Sequence, residues 1–171
     1  PSTDYVGLFR ITDGATIESV GLTNVDVTGD EYVGGLVGLN FDNSFITNSY
    51  ATGNLTGKSS IGGLVGINWN SSITNSYATG SVTGNYSVGG LVGYNGESTI
   101  TSNYAMGSVT GTEDVGGLVG SNWDSSITSS YAAGSVTGNY NVGGFLGIYS
   151  SGSLTHNYWD TQSSGKTKGI G

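Results

Sequence analysis

Two carboxylates stand where chemistry would be simplest to build. Glu97 and Asp124 occur as Asn95-Gly96-Glu97 and Asn122-Trp123-Asp124, separated by 124 − 97 = 27 residues. If the chain repeats on that step and stacks its repeats as β-strands, the two carboxyls come about 5 Å apart. That spacing fits a retaining glycosidase pair, and it fits a weak Ca²⁺ site built from oxygens. The matching positions elsewhere hold Asp42, Asn70 and Ser151, which reads as turn chemistry drifting from copy to copy. Glu31 and Glu113 also share a repeat position, but three steps put them about 14 Å apart. Glycosidase pairs need roughly 5–9.5 Å. His156 is the single histidine and takes the place of Asn48 and Asn75, with no matching acid in its column. No catalytic residue and no cofactor are assigned, so a polysaccharide-degrading enzyme is the lesser alternative.

Other residues suit contact rather than turnover. Phe41, Trp69 and Trp123 occupy one turn in different copies, beside Asn68, Asn70, Asn122 and Asp124. Such rings stack on sugars, and these three are the ligand-contact candidates. The competing expectation is that they fold down to hide apolar area. Strand alternation with Ile46 inward sends Thr47 and Ser49 outward. The same logic gives Thr74/Ser76, Thr101/Asn103, Thr128/Ser130 and Thr155/Asn157. On a third strand Ser81/Thr83, Ser108/Thr110 and Ser135/Thr137 flank inward valines. These columns are similar to the Thr faces of β-helical ice-binding proteins. Thr47, Thr74, Thr101, Thr128, Thr155, Ser49, Ser76 and Ser130 are therefore the ice-facing candidates of an alternative function. Against it, the partner column mixes Ser with Asn, and Thr is a good exposed strand residue.

Composition narrows the elements that must hold these groups. Glycine makes up 32/171 of the chain, about 19% against a usual 7% or so. Charged residues are 9%, cysteine is absent and proline occurs once. One proline excludes collagen, and few charges with many tyrosines exclude charge-driven disorder. Without cysteine there is no disulfide scaffold and no Cys-based zinc site. A net charge of −8 with four Lys and Arg argues against nucleic acid and against anionic membrane surfaces. No apolar run approaches the roughly 20 residues of a bilayer span, and no signal peptide is visible. The chain opens at Pro1 without Met, as expected for a processed or excised segment.

The repeat settles the architecture. Val33-Gly34-Gly35-Leu36-Val37-Gly38 returns at Ile61, Val88, Val115 and Val142, with a shorter copy at Val6-Gly7-Leu8-Phe9. Ile46-Thr47, Ile73-Thr74, Ile100-Thr101, Ile127-Thr128 and Leu154-Thr155 each precede a tyrosine, and Val-Thr-Gly strings close most units. Each unit offers three short β-like runs and no sustained 3.6-residue period. Three strands per 27 residues make a coil of a parallel β-helix, an all-β solenoid of about six coils. Its length would be about 29 Å. A β-sandwich of hairpins is the rival, and it predicts more varied spacing. The Gly-Gly doublets, with Gly three residues on, are expected to allow positive φ and tight corners where a Cβ would crowd the next coil. The same strings recur five times, open no helix and precede no P-loop lysine, so they are neither a dinucleotide loop nor a transmembrane packing motif. Residues 1–32 read as an atypical end coil, 33–148 as repeat coils, and 149–171 as a last coil with a cap or linker holding Lys166 and Lys168.

Gly35-Leu36-Val37-Gly38 and its copies, followed by Asn-Ser-Tyr-Ala-Thr-Gly at 48–53 and 75–80, resemble the GLUG repeat. Asn157-Tyr158-Trp159-Asp160-Thr161 also looks like the segment that often ends such arrays. The resemblance implies an exported, extended, non-catalytic stalk of a bacterial surface or secreted protein, such as a filamentous-haemagglutinin-like adhesin. It implies surface glycans or host-cell components as partners, and adjoining domains in a larger chain. It does not imply the metallopeptidase activity of some such proteins, since the His-Glu-x-x-His signature is absent.

Overall fold

The computed structural model describes residues 4–171; residues 1–3 of the expected end coil lie outside the described residues. The chain is a parallel β-solenoid of about six turns, in which each strand pairs with its copy one coil on. The first ladder stacks Phe9–Asp13, Val37–Phe41, Val65–Trp69, Val92–Gly96, Val119–Trp123 and Leu146–Tyr149. The second stacks Thr16–Glu18, Phe45–Thr47, Ser72–Thr74, Thr99–Thr101, Ser125–Thr128 and Gly152–Thr155. The third begins with Gly21–Thr28 and Tyr50–Thr56, then divides in two, as in Tyr77–Thr79 and Val82–Thr83. The fourth holds Glu31–Gly34, Ser59–Gly62, Tyr86–Gly89, Glu113–Gly116 and Tyr140–Gly143.

Four ladders thus replace the three strands expected per coil. The reason lies in the Gly-Gly string, whose doublet makes the expected tight corner and so divides the string between two strands. Ile61-Gly62 closes a fourth-ladder strand, Gly63-Leu64 bends, and Val65-Gly66 opens the first ladder. The doublet glycines and the glycine that ends each string, such as Gly66, serve close approach, not positive φ. A Cβ on Gly66 would lie 2.5 Å from the carbonyl carbon of Tyr32 and 2.7 Å from the Gly38 oxygen. The fourth ladder therefore folds back against the glycine column of the first.

Positive φ falls instead on polar residues at the corners. Asn48, Asn75, Ser102, Ser129 and His156 have φ between 49° and 58°, and Asp42, Asn70, Glu97 and Asp124 between 44° and 50°. Asn and Asp tolerate this region better than other L-residues, because their short side chains bond locally. The register step from Phe41 to Trp69 is 28 and from Ile46 to Ile73 is 27, so the extra residue sits between them. Asp42 and Asn43, both at positive φ, absorb it.

Two apolar columns fill the interior. The larger contains the Leu36, Val37, Ile46 and Ala51 positions of successive coils; Leu154, at its end, is half-buried. The smaller contains Val33, Ile61, Val88 and Val115 against Leu55, Val82, Val109 and Val136. Between them the second doublet glycine faces the alanine column, where a Cβ on Gly63 would lie 2.7 Å from that of Ala78. Each buried Ile or Leu contributes roughly 1.5–3 kcal/mol. A short helix, Thr161–Ser164, follows the last third-ladder strand, N-capped by Asp160 and closed by Gly165 in the left-handed conformation. Beyond it Ile170 pairs with Leu146 as one more first-ladder rung.

Candidate functional site

Polar side chains that a catalyst would expose are here turned inward. Thr12 donates to Asn40 Oδ1 at 2.7 Å, and Asn40, Asn68 and Asn95 each donate to the next asparagine at 2.7, 2.9 and 2.8 Å, ending on Asn122. The hydroxyls of Ser44, Ser71, Ser98 and Ser125 accept backbone N–H groups from the preceding coil at 2.9–3.2 Å. A third series, Ser49, Ser76, Asn103, Ser130 and Asn157, does the same at 2.8–3.1 Å. Satisfied in this way, buried polar atoms hold coil to coil instead of costing stability.

The third series corrects an expectation. Ser49, Ser76 and Ser130, expected on the surface, are buried. Simple alternation fails because the residue before each lies at positive φ and turns the chain through a corner. The next side chain then points inward. Thr47, Thr74, Thr101 and Thr128 remain half-buried, and Thr155 is exposed. The residues two positions earlier are Phe45, Ser72, Thr99, Ser126 and Ser153, with Ser72 and Thr99 hydroxyls 2.8 Å apart. Ser81/Thr83, Ser108/Thr110 and Ser135/Thr137 are exposed around buried valines.

The three turn aromatics share one register column at the end of the first ladder, as Phe41, Trp69, Gly96 and Trp123. They diverge in environment. Trp69 lies over the bare Cα of Gly96, where a Cβ would sit 2.7 Å from the ring, and stacks on Tyr94 at 6.0 Å and 9°. Trp123 is 54% exposed and Phe41 39%. Burial, followed by the nearby Glu97 charge, raises the Tyr94 pKa.

Glu97 and Asp124 occupy the same left-handed corner of adjacent coils and are exposed. Among the described residues no three His, Asp or Glu side chains gather as metal ligands. Glu31 and Glu113 are three rungs apart in the fourth ladder, with Ser59 and Tyr86 between them. His156 stands at a corner and lines a cavity of about 250 Å³ at the end of the coil stack, with Phe145, Leu154, Asn157, Trp159, Gly169 and Ile170.

Sequence reasoning missed a continuous ring stack. Tyr50, Tyr77, Tyr104 and Tyr131 lie face to face, with centroids 4.8, 4.7 and 5.2 Å apart. The signal was present, since these tyrosines recur on the 27-residue step. Desolvation first, then the neighbouring Tyr77 and Tyr131, raises the Tyr104 pKa.

These features define a parallel β-solenoid whose corners and interior are both set by one repeat. The family model described as the GLUG motif matches three of these repeats, residues 29–56, 57–83 and 111–137. Each matched window spans one coil, from the approach to the fourth ladder to the end of the third. Comparison with curated proteins and with solved structures gives no match.

Proposed function

We propose that the chain is a non-catalytic stalk, a structural repeat segment of an exported bacterial surface protein that also carries a weak adhesive face. The observation that supports this best is the use of the buried polar groups. Three internal hydrogen-bond ladders tie successive coils together. GLUG-type repeats, by the resemblance drawn above, favour an extracellular location, adjoining domains in a larger chain and glycan or host-surface partners. Pulling the chain by its ends tests the stalk. A stalk loses one coil at a time, releasing about 27 × 3.5 Å, roughly 95 Å, per step; collapse in one step at a few piconewtons would refute it. The adhesive face centres on Trp123 and Phe41, and glycan-array binding lost in Trp123→Ala is its test.

A second reading, ice binding, is favoured by one observation. On the second ladder, Ser72, Thr99, Ser126 and Ser153 run beside Thr74, Thr101, Thr128 and Thr155 in two outward columns of matched register. Thermal hysteresis at high concentration is the measurement, and its absence ends this reading.

A further inference from the structure

The tyrosine ladder ends one ring short. Its four rings keep their planes within 10° of one another from neighbour to neighbour. Tyr158 is in register with Tyr131 on the next rung, yet its ring does not continue the stack and is 67% exposed. Tyr131, 40% exposed, therefore presents toward that rung the face that inner members hide. Where a fifth ring would lie there is an open groove of about 410 Å³, lined by Tyr131, Ala132, Ala133, Tyr158, Trp159 and Asp160.

The sequence of the last rung explains the vacancy. Inner rungs read Tyr-Ala-Thr, Tyr-Ala-Met or Tyr-Ala-Ala, whereas the last reads Tyr158-Trp159-Asp160. Trp159 takes the alanine position and packs over Gly144, its indole N–H donating to the Lys166 carbonyl at 3.2 Å. Asp160 follows as the N-cap of the short helix, accepting from the Gln162 N–H at 2.9 Å.

This lining selects its occupant. Two alanine methyls and three aromatic rings offer little to replace the water around a sugar's hydroxyls, and a buried unpaired hydroxyl is costly. A flat aromatic ring loses little water and gains the offset-stacked contact that the ladder already uses. Asp160 is the charged residue of the lining, and ring faces attract cations as well. We infer that the vacated rung binds one flat aromatic ring bearing positive charge, stacked on Tyr131 with Tyr158 and Trp159 as walls and Asp160 at the rim. The site does not depend on the stalk reading.

Thioflavin T, a flat benzothiazolium cation, is a suitable probe, titrated by fluorescence and by calorimetry into the whole chain. The expected result is one dye per chain, with affinity at least tenfold weaker in Tyr131→Ala and in Tyr131→Leu. The leucine variant keeps apolar area if the alanine variant folds poorly. Asp160→Asn should weaken binding severalfold and flatten its salt dependence, while Trp123→Ala should leave it unchanged. Several dyes per chain, no binding at millimolar dye, or full affinity in Tyr131→Leu would each overturn the assignment. So would a neutral oligosaccharide that binds with the same Tyr131 dependence.

Discussion

The side-chain amide of Asn68 donates to the side-chain oxygen of Asn95, 2.9 Å away in the next coil, and both residues are fully buried. Removing one member orphans its neighbours. Asn95→Ala leaves the Asn122 oxygen without its 2.8 Å donor and the Asn68 amide without its 2.9 Å acceptor. The expected loss is about 1–3 kcal/mol, read from urea unfolding. Asn95→Asp should be no milder, because a carboxylate cannot donate to Asn122 and its charge would be buried.

Glycine substitutions should split by cause. Gly66→Ala forces a Cβ into the backbone of Tyr32 and Gly38, which cannot yield without parting two ladders. A loss above about 3 kcal/mol, or failure to fold, is expected. Gly165→Ala meets nothing within 4 Å but carries φ of 64°, so backbone strain alone should cost about 1 kcal/mol. Equal losses at the two sites would contradict the close-packed corner.

The two tryptophans of one column should behave differently. Trp69→Ala strips a half-buried ring from Gly96 and Tyr94 and should destabilise by about 1–3 kcal/mol. Trp123→Ala should change stability by less than about 0.5 kcal/mol, since the ring is mostly in water. Thermal melts of the two variants decide this independently of any ligand.

Stability should fall at both extremes of pH. The folded-state pKa of Tyr104 is raised by burial, so its contribution is complete below the ordinary tyrosine value of 10.0 and is lost as pH climbs through the higher folded value. Asp160 runs the other way. The Ser163 hydroxyl and the Gln162 N–H hold its carboxyl below 3.8, so its capping of the short helix is present above that pH and is lost as pH falls through the folded value. The protection of the Gln162 amide, relative to its intrinsic exchange rate at each pH, should fall in acid, and in Asp160→Asn that acid dependence should disappear. Persistence of that dependence would assign it elsewhere.

If the second ladder binds ice, a bulky ring in its middle should break the match. Thr101→Tyr should then abolish thermal hysteresis, whereas Ser76→Ala should leave hysteresis intact and lower stability. Ser76 accepts the Ser49 N–H inside the coil and never meets the surface.

Period, strand type and the interior aliphatic columns were legible in the sequence, because each depends on local propensity repeated along one dimension. The Ile46, Ile73, Ile100 and Ile127 column is buried where alternation put it. Equivalent residues meet in register, including the 28-residue step around Asp42 and Asn43. The corners were not legible. Whether Ser49 faces water or the core depends on the sign of φ at Asn48, and a single left-handed residue reverses every inside and outside assignment after it. Only the folded coil showed that a fourth ladder follows the third, that asparagines bond through the interior, and that Trp69 and Trp123 share a column but not an environment. Those outcomes depend on contacts between residues one coil apart, which exist only once the coils are stacked.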